Sequence, residues 1–254
     1  MNFKMDQVDG RMNTGTKAGT NTRAMIELQP RDCALIDLIY EHQFISTLEV
    51  ERYLFKDVEP RIARRRVLLL ERAGVIRREK NLTFGLRPIL RLTRAGRTIV
   101  ETRRPFFVKQ RTRIDLRTLM HERAVLCARL RLSELWDGQF IPEAALKQED
   151  YPQLPDGVFV FKSGAQIALE VENSLKGPAR FHEIQARWQG VKVRAVLYVA
   201  TNQHIFENVK RYLETGSRSA PFALTTIQNL EQPKPSPAFT ALGHADLFSK
   251  RVIT

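Results

Sequence analysis

The chain has 254 residues, which leaves room for two modest domains, each with a core of its own. Hydrophobic residues make up 43% and charged residues 27%, a balance that excludes wholesale disorder, a collagen-like chain and a disulfide scaffold. The net charge is +13, and most of it lies in residues 1–115, where 24 basic side chains face 14 acidic ones. Such an excess favours a polyanionic partner, with nucleic acid as the leading candidate.

No apolar run reaches the roughly 18 residues of a membrane span, and none near the N terminus has the length of a signal-peptide core. We therefore expect a cytoplasmic protein with no membrane insertion. Cys33 and Cys127 lie in separate segments and match no metal-ligand spacing, so we expect both to be reduced, small core residues.

Composition and periodicity divide the chain into four parts. Residues 1–29 are polar and rich in Gly, Thr and Asn, which predicts a flexible arm. Residues 30–113 predict a small, mainly helical domain, and residues 114–230 predict an α/β domain with a mixed sheet. Three closely spaced prolines predict an extended linker followed by a C-terminal tail over 231–254.

Three short helices open the first domain. One is predicted over about 31–42, and Ser46 with Glu49 three residues later forms a capping box that begins the second. The third follows Pro60 and stops at Gly74, which suits the left-handed position after a helix. Its predicted inner face consists of Ile62, Ala63, Val67, Leu69, Leu70 and Ala73.

A hairpin completes this domain, with strands predicted over 75–79 and 86–92 and a further helix from Thr93 to about residue 104. Three short helices closed by a hairpin make a winged helix-turn-helix, which places its last helix in the DNA major groove. The segment from Leu70 to Gly96, with the phrases L-E-R-A-G-V-I-R-R and L-R-L-T-R-A-G, resembles winged-helix proteins.

Basic side chains recur on the non-core side of the third helix and along the hairpin. A helix in the major groove would aim them at phosphates and guanine edges. Two alternatives stay open, since arginines on a helix also form ordinary solvated faces and winged helices also serve as protein-binding modules. The predicted DNA-contacting residues are Arg61, Arg64 and Arg65 on the helix and Arg77, Arg78, Lys80 and Arg87 on the hairpin.

The second domain has the predicted order α-β-β-β-α-β-α-β. Two meander strands followed by a crossover predict a mixed sheet with helices on both faces. The predicted helices span about 116–136, 178–189 and 207–213, and the predicted strands span 140–146, 157–161, 166–172, 193–200 and 222–227.

Three carboxylates are predicted to meet within this sheet. Asp156 precedes one strand, and Glu170 and Glu172 share one face of the next because side chains alternate along a strand. A three-residue hairpin loop ending at Gly164, with positive φ, sets Asp156 opposite Glu170. Like charges this close raise one another's pKa, so the arrangement predicts a divalent metal site, and oxygen ligands favour Mg²⁺ or Mn²⁺.

Other interpretations of these acids also follow from the residues. Pro-Asp-Gly is a common turn signal, and alternating acids often form the solvated face of an antiparallel strand. Ile167, Leu169 and Val171 already provide one apolar face, however, which leaves Glu170 and Glu172 near a sheet edge or in a cleft. A nuclease-like fold without activity is a further alternative.

From the helix at Leu116 through Val199 this half resembles the PD-(D/E)XK nuclease fold, with Asp156 and Glu170 matching the two acids of the motif. Glu172 stands where that family usually has lysine, and Lys176, four residues on, is the alternative source of the ammonium group. The resemblance implies catalytic roles for all four, with the three acids as metal ligands. It places Glu143 in the outer shell, together with Glu122 or Glu134 on the preceding helix. His121, at the start of that helix, is a further outer-shell candidate that could orient a phosphate or shuttle a proton, and a structural role stays open for it, since histidines at helix ends are more often structural.

The two halves together look like the replication-relaxation family, which includes the MobC-type relaxases of mobilisable plasmids. The resemblance covers about 31–228 and rests on L-E-R-A-G-V-I-R-R, L-T-R-A-G, M-H-E-R (120–123), L-P-D-G (154–157) and A-L-E-V-E-N-S (168–174). It implies an enzyme that recognises double-stranded DNA at a transfer origin and nicks one strand with Mg²⁺ or Mn²⁺. It also implies two partners, an accessory mobilisation protein and a coupling ATPase.

The sequence-based mechanism places a metal at Asp156 and Glu170, where it neutralises the scissile phosphate and activates water. Glu172 positions that water, and Arg180 or Lys176 holds the phosphate. No tyrosine nucleophile is assigned. The alternative from another class is a sequence-specific DNA-binding regulator of plasmid replication or transcription whose nuclease-like domain is inactive.

Overall fold

The computed structural model describes residues 26–104, 106–147, 151–215 and 221–248. These residues form a mixed α/β structure, as predicted. The α-helices are α1 (Pro30–His42), α2 (Thr47–Glu49), α3 (Pro60–Arg72), α4 (Arg94–Glu101), α5 (Leu119–Leu135), α6 (Glu143–Leu146), α7 (Pro178–Arg187), α8 (Gln203–Thr215) and α9 (Ile227–Leu230). A π-helical turn (Val50–Leu54) continues α2, and a 3-10 turn (Trp188–Gly190) follows α7. The strands are β1 (Ile45–Ser46), β2 (Ile76–Phe84), β3 (Arg87–Leu92), β4 (Gly138–Pro142), β5 (Gly157–Phe161), β6 (Gln166–Glu172), β7 (Ala195–Ala200), β8 (Phe222–Thr226), β9 (Ala238–Thr240) and β10 (Gly243–Ala245).

Local capping signals place the first helices and the hairpin. Ser46 accepts a hydrogen bond from the backbone N–H of Leu48, and Glu49 reaches back to the Ser46 N–H, which completes the predicted capping box. Gly74 follows α3 with φ 68°, and Thr93 caps α4 by accepting from the Gly96 N–H at 3.1 Å. The helices α1 to α3 and the antiparallel sheet β1-β3-β2 enclose one hydrophobic core.

Helix α3 buries only part of its predicted inner face. Ala63, Val67 and Leu70 point inward, whereas Ile62 and Leu69 are 47% and 38% exposed. The helix contacts its own domain along a narrow stripe, so the flanking apolar positions stay at the surface.

The second sheet has the order β10-β9-β8-β7-β6-β5-β4 and is mixed. The strands β6, β7 and β8 are parallel, and the other neighbours are antiparallel. Helices α5 and α9 pack on one face, and α7 and α8 pack on the other. A mixed sheet with helices on both faces is the predicted arrangement. The connection from β6 to β7 runs through α7, and this helical crossover makes the two strands parallel.

Two predicted segments differ from the structure. The strand predicted over 140–146 ends at Pro142, and Glu143–Leu146 is the short helix α6. The segment predicted as a Pro-rich linker and tail contains β9 and β10, which extend the sheet beside β8, and Phe248, which is buried against the sheet core.

The remaining parts of the predicted arm and tail, residues 1–25 and 249–254, lie outside the described residues. Ile26 and Leu28, the described end of the arm, pack against the N-terminal core. Within the described ranges, every helix is too short or too polar to span a membrane.

Helix α5 belongs to both cores. Its Leu126 and Leu130 pack with the N-terminal helices, while Val125, Ala128 and Leu132 pack against the second sheet. The two halves therefore meet along one helix, and the N terminus of that helix lies beside the predicted acids.

Candidate functional site

The predicted acids lie where β5 begins and β6 ends. Gly157 pairs with Leu169, and the Asp156 N–H donates to the Leu169 carbonyl at 3.0 Å, so Asp156 lies opposite Glu170. The hairpin turn has the predicted form, since Gly164 has φ 81° and closes a three-residue loop. The register that brings these acids together therefore follows from the loop.

Asp156 is held from two sides. Its Oδ2 accepts the Val171 N–H at 2.7 Å, which locks the carboxylate to β6. Its Oδ1 lies 3.0 Å from Nε2 of His121 on the first turn of α5. The histidine that the sequence placed in the outer shell therefore contacts the central aspartate directly.

His121 is positioned to carry a positive charge. The hydrogen bond to Asp156 raises the pKa of His121, against the lowering effect of burial, and the nearby Glu172 adds to the rise. The imidazolium form donates to Asp156, and its side chain is 35% exposed. A partly exposed imidazolium on a carboxylate can hold a phosphate or give a proton to a leaving oxygen.

Glu172 forms a tight pair with Lys176. The ammonium Nζ lies 2.6 Å from Oε1 and 2.7 Å from Oε2, and the Glu172 carboxylate is only 3% exposed. Burial raises the pKa of Glu172, and Lys176 opposes that rise. Lys176, which the sequence predicts as a substitute for the lysine of the motif, therefore contacts one of the predicted acids.

Glu170 is the least compensated of the acids. It is 8% exposed, and its pKa is raised well above the usual range by burial, then by the charges of Asp156 and Glu172. Gln153 donates to its Oε1 at 3.4 Å, a long contact. A buried carboxyl group with so few hydrogen bonds is stabilised either by protonation or by binding a cation. Gln153 carries no sequence signal and was not predicted.

We call Asp156, Glu170, Glu172, His121 and Lys176 the acid cluster. In the part of the chain that is described, no three His, Cys, Asp or Glu side chains are grouped so as to hold a metal ion. His121 and Lys176 already engage two of the acids. A hard cation still fits the oxygen donors in kind, because Mg²⁺ often uses only one or two carboxylates and takes its other ligands from water and substrate phosphate.

A cavity of about 410 Å³ lies beside the cluster, between the two halves. It is lined by His121 and Asp156 and by residues of the first half, among them His42, Lys109 and Arg111. This volume is typical of a small-ligand pocket. The cluster is therefore reachable from a polar cleft.

The other predicted outer-shell acids have separate partners. Glu122 pairs with Arg111 and accepts from the Thr118 hydroxyl at 2.8 Å, and Glu143 pairs with Lys147 at 3.0 Å. Both acids lie in the wall of the cavity, outside the acid cluster.

Two further predicted residues are also engaged elsewhere. Glu134 lies at the far end of α5 and pairs with Lys56 and Arg131. Arg180, a predicted phosphate ligand, pairs with Glu183 at 2.6 Å on the surface of α7.

The predicted DNA-contacting residues of α3 are exposed, as their spacing requires. Arg61 pairs with Glu59 at 2.7 Å, Arg64 pairs with Glu51 at 2.8 Å, and Arg65 is exposed. They share the outward face of α3 with the exposed Ile62, Leu68 and Leu69.

On the hairpin, three predicted arginines form surface ion pairs. Arg77 contacts Glu79 at 3.3 Å, Arg78 contacts Glu71 at 3.0 Å, and Arg87 contacts Glu51 at 3.2 Å. The side chain of Lys80 lies outside the described part of the structure. Glu51, which binds an arginine of α3 and one of the hairpin, was not predicted, because no sequence rule pairs residues across these elements.

No family model, curated protein or solved structure matches this chain. The resemblance to the replication-relaxation family therefore stays a prediction from motifs. What bears on function is the placement of the acid cluster, the cavity and the basic helix.

Proposed function

We propose that this protein is a metal-dependent DNA endonuclease of the relaxase type, which binds a transfer origin and nicks one strand. The observation that carries the proposal is the acid cluster, in which the buried Glu170 feels the charges of Asp156 and Glu172. Asp156 pairs with His121 beside a cavity, and Glu172 pairs with Lys176. Perturbed titratable groups gathered at a cleft are a mark of functional sites.

Mg²⁺ or Mn²⁺ would be held by Asp156 and Glu170, with Glu172 near by. The uncompensated burial of Glu170 supports this assignment, since a cation would relieve it. When bound, the ion supplies Lewis-acid neutralisation of the scissile phosphate.

The side chains of the cluster supply the remaining chemistry. Lys176 offers its ammonium to a non-bridging phosphate oxygen and is aimed by both oxygens of Glu172. Water forms the new P–O bond and loses a proton to solvent, while His121, aligned by Asp156, gives its proton to the oxygen whose bond to phosphorus breaks. Val171, through its N–H, keeps Asp156 from rotating away from the site.

The topology of each half supports the family interpretation. In the first half the order α1-β1-α2-α3-β2-β3, with β1 paired to β3, fits a winged helix, whose recognition helix would be α3. In the second half the order α5-β4-α6-β5-β6-α7-β7, with the short α6 inserted between β4 and β5, fits the PD-(D/E)XK arrangement. The role in plasmid mobilisation and conjugation, the accessory protein and the coupling ATPase follow from the resemblance alone.

A second candidate is a sequence-specific DNA-binding regulator of plasmid replication or transcription with an inactive nuclease-like domain. The pairing of Lys176 with Glu172 and of His121 with Asp156 favours it, because these contacts neutralise two acids without a metal. Both candidates use the basic helix, so only cleavage separates them.

The test is nicking of a supercoiled plasmid that carries the duplex sequence which the full chain selects from a random pool. The wild type is expected to produce open circles with Mg²⁺ or Mn²⁺ and none with EDTA. The isosteric Asp156→Asn should lower the rate by about 10²-fold or more, while gel-shift affinity for the duplex stays unchanged.

The matched control is Asp137→Asn, because Asp137 is 84% exposed and pairs only with Lys162 among the described residues. It should nick like the wild type. If the wild type binds the duplex but does not nick it with either Mg²⁺ or Mn²⁺, the result favours the regulator instead.

A further inference from the structure

The segment that joins the two halves, residues 106–118, has an unusual composition for a linker. It contains neither helix nor strand, and it carries four cations and one acid. We call this segment the connector. Its cations, all exposed, are Lys109, Arg111, Arg113 and Arg117.

Side chains of the first half fix the connector backbone. The Tyr40 hydroxyl accepts the Val108 N–H at 3.0 Å, and the Gln43 side chain accepts the Arg111 N–H at 2.9 Å. The buried Arg91 donates to the Thr112 carbonyl at 3.1 Å. A loop pinned in this way presents its cations in a fixed arrangement, so little ordering entropy is lost when a ligand binds.

Two of these cations take no part in the salt bridges of the described residues. Within the described ranges, Lys109 and Arg113 have no salt-bridge partner within 4.0 Å. Arg111 pairs with Glu122, and Arg117, 89% exposed, pairs with Asp115. An exposed pair such as Arg117 with Asp115 contributes little to stability, so Arg117 can leave Asp115 and bind a phosphate at little cost.

Exposed apolar side chains lie at both ends of the same segment and at the start of α5. Phe107 is 63% exposed, Leu116 is 67% exposed, and Met120 at the start of α5 is 53% exposed. Cations combined with an aromatic and other apolar surfaces are typical of single-strand binding, in which the backbone follows the charges and the bases lie on apolar faces.

The connector also leads to the acid cluster. Val108, Lys109 and Arg111 line the same cavity as His121 and Asp156. At about 410 Å³ the cavity has the size of a small-ligand pocket, which suits a nucleotide of a single strand but not a duplex.

We propose that the connector is a binding surface for single-stranded DNA, which it guides into the cavity beside the acid cluster. The strand's phosphates lie on Lys109, Arg111, Arg113 and Arg117, and Phe107 supports a base. This inference rests on the proposed function, because DNA is the nucleic acid to be cut. It assigns the duplex to α3 and the hairpin, and the single strand to the connector.

The experiment is fluorescence anisotropy of a labelled 16-nucleotide oligo-dT with the full chain, in EDTA to prevent cleavage, over a range of salt concentrations. Lys109→Ala/Arg113→Ala is expected to reduce the slope of log K against log salt by about 1.4, which is about 0.7 per phosphate contact on a single strand. At 0.1 M salt this corresponds to about 25-fold weaker binding.

The matched control is Lys192→Ala/Lys234→Ala, which removes two exposed lysines from the second half. It should bind oligo-dT like the wild type, and both double variants should bind a 16-base-pair duplex with nearly wild-type affinity. Equal losses in the two double variants, or no loss in the connector variant, would overturn the proposal. Tighter binding of oligo-U than of oligo-dT would overturn it as well.

Cleavage is measured separately, so the two proposals fail in different ways. If the chain does not nick but oligo-dT binding depends on Lys109 and Arg113, the nuclease proposal fails and the surface stands. If the chain nicks and the connector variant binds oligo-dT normally, the surface fails and the nuclease stands.

Discussion

Glu51 joins the two elements that are expected to contact DNA. Its Oε1 lies 2.8 Å from Nε of Arg64 on α3 and 3.2 Å from Nη1 of Arg87 on the hairpin. The carboxylate is 11% exposed, whereas the two arginine side chains are 59% and 36% exposed. One acid therefore fixes two arginines at the surface and offsets part of their charge, which limits how strongly they attract an arbitrary phosphate.

Glu51→Gln should strengthen non-specific binding to duplex DNA. The amide keeps the size of the side chain but removes the charge that competes with phosphate, so the slope of log K against log salt should steepen by about 0.9 per added contact. Anisotropy with a random duplex measures this slope. Asp137→Asn changes the net charge equally at a distant site, and equal slopes in the two variants would contradict the role assigned to Glu51.

The acids of the cluster could be predicted from the sequence, and their partners could be predicted only in part. Asp156 faces Glu170 because of hairpin length and strand alternation, which are local rules. The contact of His121 with Asp156 depends on how α5 packs on the sheet, and such packing leaves no local signal. Lys176 follows the end of β6, where no periodicity fixes the direction of its side chain.

At the scale of elements, Gly96 determines how α4 packs on the hairpin. A Cβ at this position would lie 2.1 Å from the Val75 carbonyl oxygen, a backbone atom that cannot move aside alone. The first turn of α4 therefore packs directly on the chain entering β2. Backbone contact of this kind requires glycine, although glycine is a poor helix former.

Gly96→Ala should destabilise the fold although alanine favours helix by about 1 kcal/mol. The overlap with Val75 should outweigh that gain and give a net loss of about 1–3 kcal/mol in the free energy of unfolding. Urea denaturation measures the loss. Gly177→Ala is the control, because its Cβ meets nothing within 4 Å and its φ is −64°. A Gly96→Ala protein as stable as the control would refute this packing.

The elements that could not be predicted are those that depend on tertiary neighbours. The apolar run over 140–146 is short, and periodicity does not distinguish a strand from a strand followed by the turn of α6. The prolines before Ala238 indicate an extended segment, but only the open edge of β8 makes that segment a strand. Longer helices that begin at a proline, such as α1 and α3, were predicted closely.

At the scale of the whole molecule, a buried ionic network ties the two halves together. Glu41 of α1, with a side chain 1% exposed, pairs with Arg104 at 2.9 Å and with Arg129 of α5. Arg123 of α5 pairs with Glu49 of α2 at 2.9 Å. Buried pairs are costly to break from one side. The halves should therefore move little relative to each other, which keeps the connector and the acid cluster in one arrangement.

His42 makes this interface sensitive to acid. Its Nε2 accepts a hydrogen bond from Arg129 at 2.8 Å, which requires the neutral ring, and burial and then Arg129 lower the pKa of His42 well below 6.5. Above pH 6.5 the ring is neutral in both folded and unfolded chains. As pH falls below 6.5 the unfolded chain takes up the proton first, so stability should fall by up to about 1.4 kcal/mol per pH unit.

Urea denaturation at a series of pH values, comparing the wild type with His42→Gln, isolates this contribution. The amide can still accept from Arg129 but does not titrate, so the variant should lose less stability than the wild type between pH 6.5 and 5. His121 acts with the opposite sign, because its pKa is raised, and it is unchanged in both proteins. Parallel stability curves for the two proteins would show that His42 is not neutral at this interface, and the contact with Arg129 would then have to be abandoned.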